Sequence, residues 1–392
     1  MKYVFVGLIV IISLIVFTVS NTYLRGYLDT PGSLAVEIQS PADSLYNYTI
    51  STKAPFKFRI LFPLLVTASY QSITNSSNAD LFFTIYKFWS AVFYVLAALL
   101  FYYLLRLNYN RTWSFTGVLL YLFTPAILLA YTVPVHTRED TLGYAIFFAG
   151  LILIQKQHYW GLLSLSILGA FCRETLLLLP LLYFLFTSAK PLYKGVILFI
   201  PIALWLLYRL LHREHYDYLE GFRWNVSNVE QVVGFLFIVF NLLWLSALGG
   251  LLKWRSLHST SFVSFFFKSF FVALPLVLLS TFFGGIFNEI RLLHLLCPWI
   301  IIFSLEYMKN NYVALIKFFS LRSFQFYIVV IFLMVIFLGY VIPPKLNEFV
   351  SPGKFDVPYV LWLSVSLVYV GLFLIAVPVF ISISLRKNTD EV

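Results

Sequence analysis

The chain has 392 residues, of which 61% are hydrophobic and only 11% are charged, and its mean hydropathy is +0.88. A water-soluble domain of this length is roughly half apolar and a quarter charged, so the composition excludes that class and indicates a surface that faces lipid. The net charge of +10 comes from single basic residues between apolar segments, which is typical of topology signals, and it predicts no nucleic-acid partner.

The apolar segments are continuous and predict helices. Strands of a membrane barrel alternate apolar and polar residues, and outside such barrels only helices satisfy the backbone in lipid. We therefore predict an all-α polytopic membrane protein with about 12 transmembrane helices (roughly 11–13) in a single transmembrane domain, residues 1–392. The predicted spans in chain order are 3–19, 80–105, 113–131, 141–155, 160–172, 175–188, 195–211, 231–252, 262–283, 292–307, 324–342 and 359–385.

The distribution of basic residues sets the predicted orientation. The first span follows Lys2, has no A-x-A cleavage pattern after it and is expected to be retained. With the amino terminus inside, the inner segments hold 13 of the 27 basic residues and three of the 17 acidic residues, in agreement with the positive-inside rule. We therefore expect a multi-pass protein of the cell (cytoplasmic or inner) membrane with both termini in the cytoplasm.

The longest predicted outer loop comes first and spans residues 20–58. Residues 59–73 after it are apolar but too short to cross a bilayer comfortably. We predict that they form a helix that lies on the outer leaflet or dips into it. Segment 20–73 is thus a long first extracytoplasmic loop with a short interfacial or re-entrant helix inside it.

Residues 160–188 decide the topology of the second half. A single long helix there would move nine later basic residues to the outside, whereas two short helices that meet at Arg173-Glu174 keep them inside. We therefore predict a hairpin whose turn, with its candidate ion pair, lies at membrane depth. Irregular backbone at that depth is tolerated only where it is buried in protein or lines a wet cavity.

Four groups of charged residues fall at outer span ends or within the apolar layer. Charges in such positions are costly unless they are paired or face water, so each group is a functional candidate. Structural ion pairs explain any one group equally well, but four groups on one side favour a shared polar cavity. The predicted substrate-binding residues are Lys57, Arg59, Arg138, Glu139, Arg173, Glu174, Glu289 and Arg291.

The arginines of this set indicate the class of ligand. Guanidinium forks bind phosphate through two hydrogen bonds and stay charged at any relevant pH, so four of them together predict a phosphate or pyrophosphate head group at the outer leaflet. A carboxylate in the first outer loop would accept the proton of an attacking hydroxyl as general base. No metal site is predicted, because neither the histidines nor the two cysteines show ligand spacing.

One stretch resembles a known family of membrane enzymes. Residues 55–65, Pro-Phe-Lys-Phe-Arg-Ile-Leu-Phe-Pro-Leu-Leu, are similar to a segment of bacterial glycosyltransferases of the GT-C type. The Arg173-Glu174 pair at the end of a short helix, Asp140 at the opening of the fourth span and the run from Asn288 to Pro298 are similar too. The resemblance touches most of the first three quarters of the chain.

The resemblance implies a membrane glycosyltransferase with a GT-C-like arrangement of spans. Such an enzyme takes a sugar from a polyprenyl-phosphate-linked donor and transfers it to a lipid or glycan acceptor on the extracytoplasmic face, and no cofactor is implied. GT-C enzymes place a catalytic acid in the first outer loop, so the implied catalytic residues are Asp43, then Asp29, then Asp140. The loop lacks the paired acids that many of these enzymes carry, and Glu139-Asp140 is such a pair in a later loop.

Two other functions stay open on sequence grounds. A glycan polymerase or ligase of the O-antigen type usually has its largest outer loop late in the chain, whereas the longest late loop here, residues 212–230, is shorter than residues 20–58. A secondary transporter is expected to show internal repeats, and the sequence contains no convincing repeat.

Overall fold

The structure, a computed structural model, is helical wherever it describes regular secondary structure, as the continuous apolar segments predict. Most of the first outer loop and the last two predicted spans, 324–342 and 359–385, lie outside the described residues. The described residues are 2–23, 59–73, 79–124, 127, 140–212, 219–229, 232–233, 236, 239–240, 243–253, 260–284 and 293–319.

Several helices match the predicted spans closely. The helices are α1 (Lys2–Tyr23), α2 (Leu61–Ile73), α3 (Ala79–Leu105), α4 (Arg111–Leu122), α5 (Asp140–Gln155), α6 (Tyr159–Cys172), α7 (Leu178–Phe186), α8 (Pro191–Leu211), α9 (Leu219–Ser227), α10 (Leu243–Lys253), α11 (Ser261–Gly284) and α12 (Cys297–Phe319). The bounds of α3, α5, α6 and α11 agree with the prediction to within one residue at each end. Short 3₁₀ turns, Glu174–Leu177 and Leu293–Leu296, lead into α7 and α12.

Three described helical stretches are long and apolar enough to cross a bilayer, Thr84–Leu105, Pro191–Leu211 and Ser261–Phe283. The second of these, α8, exposes large apolar side chains such as Leu192 (74%) and Phe199 (63%). A contiguous apolar surface of this kind is typical of contact with lipid, which indicates a membrane protein. The count of about 12 spans stays a prediction, because only these three stretches of the described residues have the length and the hydropathy of a full span.

The predicted span 113–131 is not one continuous helix, because α4 ends at Leu122 and the chain turns at residues 123–124. Residues 125–126 and 128–131 of this span lie outside the described residues. The Thr124 hydroxyl donates a hydrogen bond to the carbonyl oxygen of Tyr121 at 2.8 Å, and Pro125 follows. The residue before a proline is disfavoured in helical conformation, so the chain leaves the helix at this point.

Other predicted bounds also need correction. The predicted span 231–252 is not a single helix, since the chain turns at residues 239–240 and α10 begins at Leu243. Helices α1 and α12 continue beyond their predicted ends, to Tyr23 and Phe319. Apolar composition predicts that these segments are helical, but it marks neither a break within an apolar run nor the continuation of a helix into polar residues.

Helices α6 and α7 form the predicted hairpin. Arg173 between them has extended backbone, with φ −162° and ψ 129°. Tyr159 at the start of α6 contacts Tyr183 near the end of α7, with 5.9 Å between ring centroids, so α7 returns along α6. A single helix over residues 160–188 is therefore excluded.

The next helix reverses direction again. Tyr193 at the start of α8 stacks on Tyr159 at 5.0 Å, and Tyr208 near its end packs on Phe171 at 5.5 Å. The ends of α6 and α8 thus lie at the same end of the bundle as Arg173, and α5 begins there as well. We call this end of the bundle the Arg173 end.

Helices α10 and α12 approach each other closely at Gly250. A Cβ atom on Gly250 would lie 2.1 Å from the carbonyl oxygen of Phe303. The hydroxyl groups of Ser246 and Ser304 form a hydrogen bond of 2.8 Å across the same interface. Small residues that let backbones approach, together with hydroxyl contacts, are typical of helix packing in membranes.

Gly250→Ala is expected to destabilise the protein by about 1–3 kcal/mol, because a backbone carbonyl cannot turn aside as a side chain can. Gly195→Ala in α8 is the matched control, since the nearest atom to its Cβ would be in Phe199 at 3.9 Å. Denaturant unfolding of both variants in detergent measures the difference. Equal stability of the two variants would contradict the close α10–α12 contact.

Candidate functional site

Arg59 and Glu174 form a two-point ion pair at the Arg173 end. Nε of Arg59 donates to Oε2 of Glu174 at 3.2 Å, and Nη2 donates to Oε1 at 2.7 Å. Arg59 lies just before α2, so the pair joins the start of α2 to the turn between α6 and α7. The side chains are 7% and 30% exposed, so the pair is open to its surroundings on the Glu174 side.

Asp140 and Arg173 form a second ion pair beside the first. Asp140 is the first residue of α5, a position where the helix dipole favours a negative charge. Its carboxylate accepts a hydrogen bond from Nη1 of Arg173, and both residues are buried, at 0% and 2% exposure. Arg173 and Glu174 therefore each bind a partner from another part of the chain. The ion pair between these two neighbours, which the sequence suggested, is not formed.

Arg173 has further capacity to bind an anion. Among the described residues no group accepts a hydrogen bond from its Nε or Nη2. These are the same two atoms through which Arg59 binds a carboxylate, so they form an edge that fits one carboxylate or phosphate. A buried donor without a partner costs about 1–3 kcal/mol, which an oxyanion at this edge would recover.

The described charges at this site cancel in pairs. Two guanidinium groups and two carboxylates give a net charge of zero. The described residues therefore produce no strong positive field, and their affinity for an anion depends on direct contact with the Nε–Nη2 edge of Arg173. A monoanion that fits this edge is a better match than a highly charged ligand, because desolvating several unpaired charges is costly.

A second group of buried polar and aromatic side chains surrounds His294, which is 1% exposed. Its Nε2 lies 2.9 Å from Oγ1 of Thr124. The rings of Tyr121, Tyr144 and Phe240 pack around it, with centroids at 5.6, 4.9 and 6.0 Å. We call these five residues the His294 cluster.

The His294 cluster lies close to the Asp140–Arg173 pair. Tyr144 follows Asp140 by four residues, about one turn of α5, and therefore stands on the same helix face. The sequence pattern did not select His294, because its partners come from three other parts of the chain. A histidine isolated in an apolar segment carries no signal of such partners.

Comparisons with protein-family models, with curated proteins and with solved structures find no match. In the part of the chain that the structure describes, no group of three or more His, Cys, Asp or Glu side chains is placed to hold a metal ion. The geometry of the Arg173 end is therefore the main basis for a functional proposal.

The structure brings together four of the residues that the sequence selected. Three are predicted substrate-binding residues, Arg59, Arg173 and Glu174, and the fourth is the catalytic candidate Asp140. Asp140 is fully buried and contacts Arg173, so it positions the guanidinium group of Arg173. The candidates outside the described residues are Asp29, Asp43, Lys57, Arg138, Glu139, Glu289 and Arg291.

Proposed function

We propose that the protein is a GT-C-like membrane glycosyltransferase with about 12 spans. It transfers a sugar from a polyprenyl-phosphate-linked donor to a lipid or glycan acceptor on the extracytoplasmic face of the cell membrane. The observation that carries the proposal is the buried Nε–Nη2 edge of Arg173, which has no acceptor among the described residues.

In this proposal Arg173 binds two oxygen atoms of the donor phosphate. Asp140 occupies Nη1, so a ligand has only the opposite edge available, and this fixes the orientation of the phosphate. The phosphodiester of a lipid-linked sugar carries one negative charge, which suits a site whose described charges cancel. Arg59 and Glu174 hold the carboxyl-terminal end of the first outer loop at the same turn.

The chemistry is an attack of the acceptor hydroxyl on the anomeric carbon of the sugar. The bond between that carbon and the phosphate oxygen breaks, and the polyprenyl phosphate leaves as an anion that Arg173 stabilises. The proton of the hydroxyl passes to a carboxylate of the first outer loop, Asp43 or else Asp29, acting as general base. Asp140 is the least available base, because it is paired with Arg173.

Basic residues at the opposite end of the bundle support the proposed orientation. Lys156 lies between α5 and α6, and Lys190 lies between α7 and α8. Since α6 and α7 form a hairpin whose turn is at Arg173, both lysines are at the other end of these helices. The positive-inside rule favours that end as cytoplasmic, which puts the Arg173 end outside and agrees with cytoplasmic termini.

The test is a transfer assay with purified protein in lipid nanodiscs, a panel of radiolabelled polyprenyl-phosphate sugars and a membrane extract as acceptor. We expect transfer from at least one donor, and a loss of about 100-fold or more in Asp43→Asn, the range for a lost general base. Asp80→Asn in α3 is the matched control and is expected to keep the wild-type rate. No transfer from any donor, with solute flux in liposomes, would replace this proposal with the secondary transporter.

A further inference from the structure

The hydrogen bonds of Thr124 determine which ring nitrogen of His294 carries the proton. The Thr124 hydroxyl donates its single hydrogen to the carbonyl oxygen of Tyr121 at 2.8 Å. Toward His294 the same oxygen therefore acts as acceptor, and Nε2 is the donor at 2.9 Å. The neutral ring then has its proton on Nε2 and an acceptor lone pair on Nδ1.

Two buried polar atoms of the His294 cluster have no hydrogen-bond partner among the described residues. They are Nδ1 of His294 and Oη of Tyr121, and both residues are at most 1% exposed. Their rings are neighbours, with 5.6 Å between centroids. Buried polar groups are nearly always satisfied, so an acceptor beside a hydroxyl is a pattern that fits a neutral, hydroxyl-bearing ligand.

The position of the cluster connects it to the proposed phosphate site. The ring of Tyr144 contacts that of His294 at 4.9 Å, and Tyr144 lies about 6 Å along α5 from Asp140 at 1.5 Å per residue. Asp140 in turn holds Arg173. The cluster and the ion pair are therefore neighbours along α5.

We propose that His294 and Tyr121 form an uncharged subsite that binds a hydroxyl group of the sugar on the lipid phosphate. This inference rests on the proposed function, because it requires the phosphate to be at Arg173. With a neutral His294 the cluster has no formal charge, so it selects against a second phosphate, whose burial would be unpaired. The aromatic rings of Tyr144 and Phe240 suit the apolar face of a sugar ring.

Tyr121→Phe tests the subsite, because it removes one hydroxyl group and leaves the ring in place. Full-length protein in nanodiscs is titrated with bare polyprenyl phosphate and with a panel of polyprenyl-phosphate hexoses and pentoses. We expect the preferred sugar-bearing lipid to bind the variant about tenfold more weakly, the loss of one hydrogen bond of about 1.4 kcal/mol, while the affinity for the bare lipid stays unchanged. His294→Phe is expected to act in the same direction.

Tyr183→Phe is the matched control, since Tyr183 is equally buried but lies near the end of α7 that is farther from Arg173. The thermal stability of Tyr121→Phe is expected to equal that of the wild type, since the lost hydroxyl has no described partner. If the wild type binds the bare lipid but Tyr121→Phe leaves the preference for the sugar-bearing lipid unchanged, the subsite is wrong and the Arg173 site stands. If the wild type binds neither lipid, the proposed function and the subsite are both wrong.

Discussion

Asp140→Ala is expected to destabilise the folded protein by about 3–5 kcal/mol, the usual cost of removing one partner from a buried ion pair. The substitution leaves the guanidinium group of Arg173 at 2% exposure without the carboxylate that neutralises it. Because Asp140 is 0% exposed, the side of the guanidinium group that it leaves faces the protein interior, and the lost interaction is not replaced by solvation. Denaturant unfolding in detergent micelles, followed by tryptophan fluorescence, measures the loss.

A double variant separates the ion pair from other effects of the substitution. Asp140→Ala combined with Arg173→Met removes both charges and keeps a long side chain, so it is expected to recover most of the lost stability. Glu174→Ala is a comparison variant with a smaller expected loss, because its side chain is 30% exposed. If the double variant is no more stable than Asp140→Ala, the buried charge of Arg173 is not the cause of the lost stability.

Arg173→Lys is expected to lower sugar transfer by about 100-fold or more, the range for loss of one preorganised donor to a developing anion. Lysine keeps the charge and can still pair with Asp140, but it lacks the planar fork that binds two phosphate oxygens at once. The affinity for bare polyprenyl phosphate is expected to fall in parallel. Transfer assays and lipid titrations in nanodiscs measure both effects.

The matched control for this substitution is Arg209→Lys in α8. Arg209 stacks over the ring of Trp205 at 4.7 Å, close to the end of the same bundle, and the proposed reaction does not use it. The control is expected to keep both transfer and lipid binding. Wild-type transfer and binding in Arg173→Lys would contradict the role of the Nε–Nη2 edge.

The sequence predicts where most described helices lie, because burial in lipid or in the core requires continuous apolar segments. Helices α3, α5, α6 and α11 follow the predicted spans, and the charge bias correctly predicts the hairpin at Arg173. The pairing of the charges is not predictable in this way. Arg59 and Glu174 are 115 residues apart, and only the packing of α2 beside the α6–α7 turn makes them partners.

The His294 cluster shows a second limit of sequence-based prediction. Thr124 follows the early end of α4, Phe240 lies in the turn before α10, and His294 lies in the 3₁₀ turn before α12. Hydropathy treats these places as parts of longer apolar runs, so it hides the breaks that supply the cluster. Irregular backbone at membrane depth is tolerated where it is buried in protein or lines a cavity, and such breaks are therefore candidate sites.

The two-point ion pair between Arg59 and Glu174 also bears on how new acceptor specificities arise. Two hydrogen bonds to one carboxylate fix the backbone just ahead of α2 against the bundle, so whatever chain precedes Arg59 must finish at the same anchor. Under the proposed function, exchange of the upstream segment alters acceptor choice while Arg173 keeps its phosphate, as long as the carboxylate that acts as general base is retained. Evolution or an engineer gains an arm whose length can vary while its carboxyl-terminal end stays at the Arg173 end.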